Sequence, residues 1–271
     1  MSANIKGEQN NQTIVMLPGT GELSPILQFK PIAEDLSDRF KVVTIEPFGY
    51  GLSDLTDKER TLDNVSSEIH GCIEKLGLKN YYLMGHSISG LHALKLSNLY
   101  PQEIAGVVGL DTTFPMTQEK IDFLDSLSEG TGNTDTLLKI KPILDILGIT
   151  HIIATPEKFG YLDPNYSYSE QDKQLFKALA VHRYGNKNSK EEIANTSKWI
   201  QETVGMKYPE STPVLNFVSS DNCDRIPFWE EEHENVISDK QHSEVIKLQG
   251  SHYIHVDQRS AVVQKVKEWI Q

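Results

Sequence analysis

The sequence predicts an α/β fold, a mostly parallel twisted sheet with helices on both faces and a helical insertion spliced into it. Three observations lead there. Short apolar runs alternate with helix-like stretches through residues 13–110, strand-like runs become scarce from Thr112 to about Tyr208, and apolar runs return at residues 214–218 and 245–248. Strands that are apolar throughout, with no in–out alternation, belong to a parallel sheet buried on both sides.

The elements follow in order. Residues 13–17 (TIVML) form a buried strand that stops at Pro18-Gly19, and a helical stretch follows around residues 29–36. Residues 41–45 (KVVTI) are the next strand, broken by Pro47 and Gly49. Leu62, Val65, Ile69, Cys72, Ile73 and Leu76 recur at i, i+3, i+4 and i+7, the stripe of an amphipathic helix closed by Gly77. Residues 81–84 are a strand, 88–100 a helix stopped by Pro101, and 104–110 (IAGVVGL) another strand. Between 112 and 208 helical segments alternate with polar loops such as SEGTGNTDT and RYGNKNSKEE. Aromatic residues recur there, including Phe114, Phe123, Phe159, Tyr161, Tyr166, Phe176 and Trp199. A helix at about 259–270 closes the chain. The expected division is a sheet core of residues 1–111 and 209–271 with a helical cap of residues 112–208.

Composition narrows the function classes. The chain has 271 residues, 38 acidic against 26 basic, and a formal net charge of -12. That balance argues against nucleic acid or an anionic membrane as partner. Only Cys72 and Cys223 are present, with no CxxC pair, so neither a structural zinc site nor any other metal or cofactor is expected. The polar start MSANIKGEQNNQT lacks an apolar segment, and no run approaches 18 apolar residues. A soluble, cytoplasmic protein without stable membrane association is the expectation; oligomeric state cannot be read from the residues.

The most informative stretch is YYLMGHSISG at 81–90. A strand stops and a helix starts there, and Ser87 stands at the turn with Gly85 two before it and Ser89 two after. Small neighbours let the backbone fold back sharply, which pushes the hydroxyl of Ser87 out of the turn.

Strand, GHSIS, helix resembles the nucleophile elbow of the α/β-hydrolase superfamily, and the likeness extends over roughly residues 13–111 and 210–270. LPGTG at 17–21 lies where that family usually carries a His-Gly pair; the resemblance implies that the backbone N–H groups of Thr20 and Ile88 form an oxyanion hole. EPFGYGLSD at 46–54 resembles the family's D-x-x-G-x-G-x-S turn, with Glu46 near the usual Asp as a brace beside the site. GSHYIHVDQ at 250–258 matches the loop of the family's catalytic histidine, which implies His252 ahead of its neighbour His255. A histidine suits the role because it gains and loses a proton near neutrality. His86 is expected as a packing residue.

The acid that would orient His252 stays open. Asp111, after the strand that follows the nucleophile helix, is preferred over Asp221, which follows the next strand at the family's commoner position, where the spacing falls on Asn222; Asp224 is a third option. Two departures from the family pattern stand out: the elbow carries Ser89 and then Gly90 in place of a single Gly, and any strands leading into the fold are short or missing. A serine nucleophile points to attack on a carbonyl through an acyl-enzyme. The implied function is a cofactor-independent serine hydrolase of carboxylesterase type, acting on a small acyl substrate. Thioesterase, aminopeptidase and carbon–carbon bond hydrolase are alternatives in the same fold, and a non-catalytic ligand-binding protein is the alternative outside it.

Overall fold

Strand β2 (Thr13–Leu17) is buried at all five residues, and its side chains split between two cores. Ile14 and Met16 pack on one face of the sheet and Val15 and Leu17 on the other, as the two-residue period of a strand requires. The computed structural model describes residues 1–128 and 162–270. Seven strands form one sheet: β1 (Ser2–Lys6), β2, β3 (Lys41–Glu46), β4 (Tyr81–His86), β5 (Ile104–Leu110), β6 (Val214–Ser219) and β7 (Glu244–Leu248), in the order β1-β3-β2-β4-β5-β6-β7. All neighbours run parallel except β1, which pairs antiparallel with β3. Thus one short leading strand is present.

Helix α2 (Lys30–Leu36) is the helix expected around residues 29–36, and a further short helix, α1 (Pro25–Gln28), precedes it and meets it at Phe29; Ser24 caps α1 by accepting from Leu27 N–H. Helix α3 (Leu62–Lys75) has the predicted apolar stripe and is capped by Thr61. With α4 (Ser89–Leu99) it covers the face that holds Val15 and Leu17. Between β5 and β6 the described elements are all helical: α5 (Gln118–Ser128), α6 (Glu170–His182) and α7 (Lys187–Glu202). The expected loop at 128–136 falls almost wholly outside the described residues, as do Phe159 and Tyr161. After β6 come α8 (Ser220–Arg225), α9 (Trp229–Asn235), α10 (Ile254–Asp257) and α11 (Arg259–Trp269), the last packing on the opposite face with α2. Among the described residues no helix is long and apolar enough to cross a membrane.

The connections place the site. From β2 the chain moves outward to β3, then crosses back over β2 to β4 and continues the other way through β5, β6 and β7. The reversal falls at the carboxyl ends of β2 and β4, the usual ligand position in an open α/β sheet. Leu17 pairs with Gly85, and His86 with Leu110, so the loops after β2, β4 and β5 emerge side by side.

Candidate active site

Ser87 sits in the left-handed region at φ 53°, uncommon for a residue with a side chain, and is only half-buried. Its conformation is tied down from both sides. Ser87 N–H donates to Leu110 O, and Ser87 O accepts from Gly90 and Thr113 N–H. The small neighbours have assigned places. A Cβ on Gly85 would lie 3.1 Å from Ser89 Cβ, and one on Gly90 would lie 2.4 Å from Thr113 O. The two-residue departure from the family pattern thus has a physical reason: Gly90 is the position pressed against the end of β5. Ser89 fits against Gly85 and donates through its hydroxyl to Pro18 O at 2.5 Å.

The loop after β2 faces this turn. A Cβ on Gly19 would lie 3.2 Å from Ser87 Cβ. Gly19 N–H donates to Glu22 Oε1 (2.8 Å) and Gly21 N–H to Tyr50 Oη (3.3 Å). Thr20 N–H and Ile88 N–H, the two amides implied by resemblance, have no hydrogen-bond acceptor among the described residues. Glu46 is fully buried and braces the neighbouring turn by accepting from Leu52 N–H at 2.8 Å and from the Ser24 hydroxyl at 3.3 Å. Burial pushes its carboxyl above the ordinary range, against the pull of these donors.

His252 lies in the loop between β7 and α10. That loop is stitched by short bonds: Gly250 N–H to Ser220 Oγ, Asp221 N–H to Gly250 O, and Ser251 N–H and hydroxyl to Asp257 Oδ2. The His252 Nδ1 is 2.7 Å from Asp111 Oδ2. A carboxylate only accepts, so the proton of the neutral ring sits on Nδ1 and leaves Nε2 as the basic nitrogen. Among the described residues Nε2 has no partner.

Asp111 is fully buried, also with positive φ (48°), and accepts from Ser219 N–H, the Ser219 hydroxyl, the Asn222 amide and Trp229 Nε1–H as well as from His252. Burial alone would raise its pKa; the bond and charge of His252, then the Ser219 and Trp229 donors, outweigh burial and hold the carboxyl below the usual range. Asp221 is exposed, and no bond joins its carboxylate to His252; Asp224 pairs with Lys247 at 3.0 Å. The structure therefore brings Asp111 to His252 and leaves the other two acids apart. Asn222 contacts the pair, its amide nitrogen 2.6 Å from Asp111 Oδ2 and 3.3 Å from His252 Nδ1. His255 is buried with neither ring nitrogen hydrogen-bonded among the described residues; burial first, then His86 and His252, push it well below the ordinary histidine value.

Sequence reasoning did not anticipate Trp229, Ser219 or Glu22 at this site. No periodicity marks them, because their roles depend on partners more than sixty residues away. His86, expected as packing, makes hydrogen bonds through both ring nitrogens.

Comparison with known proteins agrees with this architecture. A family model described as alpha/beta hydrolase fold matches residues 12–150. The chain is 22% identical to YbdG of Bacillus subtilis over 265 residues, which are 95% of this chain and 79% of that protein. It is 30% identical over 98 residues to 2-(acetamidomethylene)succinate hydrolase of Mesorhizobium japonicum, spanning 36% of this chain and 35% of that one. Among solved structures, a marine microorganism esterase superposes with a TM-score of 0.64 at 16% identity, covering 99% of this chain and 98% of that one. MenH from S. aureus superposes equally well at 17% identity, covering 99% and 97%. At such identities the structural likeness speaks to fold alone, but the family match extends over more than half of the sequence. The chain belongs to the alpha/beta hydrolase fold family.

Proposed function

We propose that the protein is a serine hydrolase that cleaves a small carboxylic ester, or a related acyl substrate, through an acyl-enzyme on Ser87. The observation that carries this reading is the 2.7 Å contact of Asp111 with His252 Nδ1, because it turns the basic Nε2 outward from the carboxylate. In the proposed reaction Nε2 takes the proton of Ser87 as its oxygen attacks the acyl carbon. Negative charge then develops on the former carbonyl oxygen, and the N–H groups of Thr20 and Ile88 receive it; each such donor contributes about 2.7–4 kcal/mol to the transition state. The tetrahedral intermediate expels the alcohol, which leaves with the proton from His252. Water, deprotonated by the same nitrogen, releases the acid and restores Ser87. Asp111 orients the ring and stabilises its protonated form. Residues 112–208 form the cap of this reading, over a core of residues 1–111 and 209–271.

Two measurements test it. A fluorophosphonate should label Ser87 in the native protein and leave Ser87→Ala and His252→Ala protein unlabelled. Folded native protein that ignores the reagent would support a non-catalytic ligand-binding role instead. On a p-nitrophenyl ester, Asp111→Asn should lower turnover by roughly 10³–10⁴-fold, while Asp221→Asn stays near the native rate. The reverse order would overturn the assignment of Asp111.

A further inference from the structure

Glu22 and His86 lie outside the roles assigned above, yet they are buried between the loops that the proposed chemistry needs. The Glu22 side chain is 2% exposed and that of His86 1%. Glu22 Oε1 accepts from Gly19 N–H at 2.8 Å and lies 2.6 Å from His86 Nδ1. On the far side of the ring, His86 Nε2 lies 3.1 Å from the backbone oxygen of His252. One ring, belonging to the residue just before Ser87, therefore bridges the loop after β2 to the loop of His252.

The hydrogen count along this bridge is informative. A carbonyl oxygen can only accept, so Nε2 must carry hydrogen to bond it. Glu22 Oε1 also accepts the Gly19 N–H, a bond stronger to a carboxylate than to an acid hydroxyl, and toward an ionised Glu22 the ring must donate through Nδ1 as well. A neutral imidazole has one N–H, so beside an ionised Glu22 it makes only one of the two bonds. Against an ionised Glu22 the ring that makes both is the imidazolium, and its counter-charge is a carboxylate whose Oε2 is buried with no partner among the described residues. The other titratable rings facing it are His252, His255 and Tyr253, at centroid separations of 4.7, 4.7 and 5.0 Å. Burial first, then repulsion from His86 and His252, pushes His255 well below the ordinary histidine value, so the ring beside His86 is uncharged.

We propose that Glu22 is a positioning residue, and that the chain from Gly19 N–H through Glu22 and doubly protonated His86 to His252 O holds the oxyanion loop and the histidine loop in register across the nucleophile. This rests on the serine-hydrolase reading for its kinetic consequence but not for its hydrogen count. Burying a charged pair is poor provision for stability. What it offers is a fixed distance between the Thr20 amide and the His252 ring, two groups that must act in one step, the first on the carbonyl oxygen and the second on the proton of Ser87.

The experiment has two arms. In the first, kcat and KM for a p-nitrophenyl ester are compared for native, Glu22→Gln and Glu22→Leu protein. Leu cannot bond Gly19 or His86, and kcat should fall by about 10²-fold, the order expected when reacting groups are displaced by an ångström, with KM little changed. Gln can still accept through its oxygen and should fall between Leu and native. In the second arm, ¹⁵N-histidine NMR is recorded on Ser87→Ala protein at neutral pH, with the His86 signals identified by their loss in His86→Gln. Both ring nitrogens of His86 should carry hydrogen, and Glu22→Gln should reduce this to one. A single ring N–H in the Ser87→Ala protein, or native kcat in both Glu22 variants, overturns the proposal. Should Ser87→Ala keep native turnover, the serine-hydrolase reading fails instead, and the NMR arm still decides the hydrogen count because it needs no activity.

Discussion

Two of the non-glycine residues with positive φ, Ser87 and Asp111, are also two of the residues proposed to act in the reaction. Such conformations cost about 1–3 kcal/mol each and persist only where neighbouring bonds hold them. Those bonds are present: Leu110 O, Gly90 N–H and Thr113 N–H at Ser87, Phe217 O and Ser219 N–H at Asp111. Strain at Ser87 predicts a trade of activity for stability. Ser87→Gly should lose all turnover yet raise the urea-unfolding free energy by about 1 kcal/mol, whereas Ser87→Ala, which keeps a Cβ, should not. Asp111 makes a prediction about pH. Its carboxyl is held below the ordinary value of 3.8, against burial, by His252 and the donors around it. A depressed acid stabilises the fold above its unfolded value, and this contribution is lost as pH falls through the lowered folded value. Native protein should therefore lose more unfolding free energy between pH 5 and pH 2.5 (a range set by about 3.8 as the unfolded value) than Asp111→Asn does. Equal losses would mean that Asp111 carries no such linkage.

At the scale of elements, the informative comparison is between the ends of β5 and β6. The resemblance leaves either strand free to carry the acid, and here Asp111 directly follows β5 while Asn222 lies in the first turn of α8, just after β6. The two side chains touch each other and the same ring nitrogen. That proximity predicts interchange. In Asp111→Asn protein, adding Asn222→Asp should restore part of the lost turnover, by 10-fold or more of the roughly 10³–10⁴-fold loss, because a carboxylate again faces Nδ1. No recovery in a folded double variant would show that Trp229 and Ser219, which point their donors at residue 111, cannot be replaced. The elbow was legible in the sequence because strand, turn and helix are contiguous there. The acid was not, because Asp111 and His252 are 141 residues apart, and only the register of β5 on β6 brings residue 111 beneath the histidine loop.

On the scale of the whole molecule, helix α7 is bolted to the sheet core by a buried charge network. Arg60 is fully buried and pairs with Glu192 of α7 (2.8 Å) and Glu68 of α3 (2.6 Å). Burial works against its charge, yet the two carboxylates hold the guanidinium firmly protonated. Tyr50 donates to the second oxygen of Glu192 at 2.5 Å and accepts from Gly21 N–H in the loop after β2, so the network reaches from the helical segment to the candidate site. Asn188 exchanges two hydrogen bonds with Thr56, and Trp199 packs edge-on to His92 of α4 at 5.4 Å. Removing one partner from such a network leaves buried charge unpaired. Arg60→Met should cost about 3–5 kcal/mol, and Arg60→Met with Glu192→Leu distinctly less, read from urea unfolding of both proteins. A double variant less stable than the single one would show that the pairing is not what fastens α7.

The sequence by itself determined the class of fold, the strand–serine–helix turn and the loop of His252. Each is written in contiguous residues whose apolar period and small side chains act locally. Tertiary structure alone decided which acid stands behind His252, which amides of the loop after β2 keep their hydrogens free, and that His86 bridges two loops. The short first strand was equally hidden, since Ser2–Lys6 has no apolar run and is ordered by pairing with β3. These outcomes depend on strand register and on partners brought together across the sheet, and a distance between remote side chains is set by the packing of every element between them.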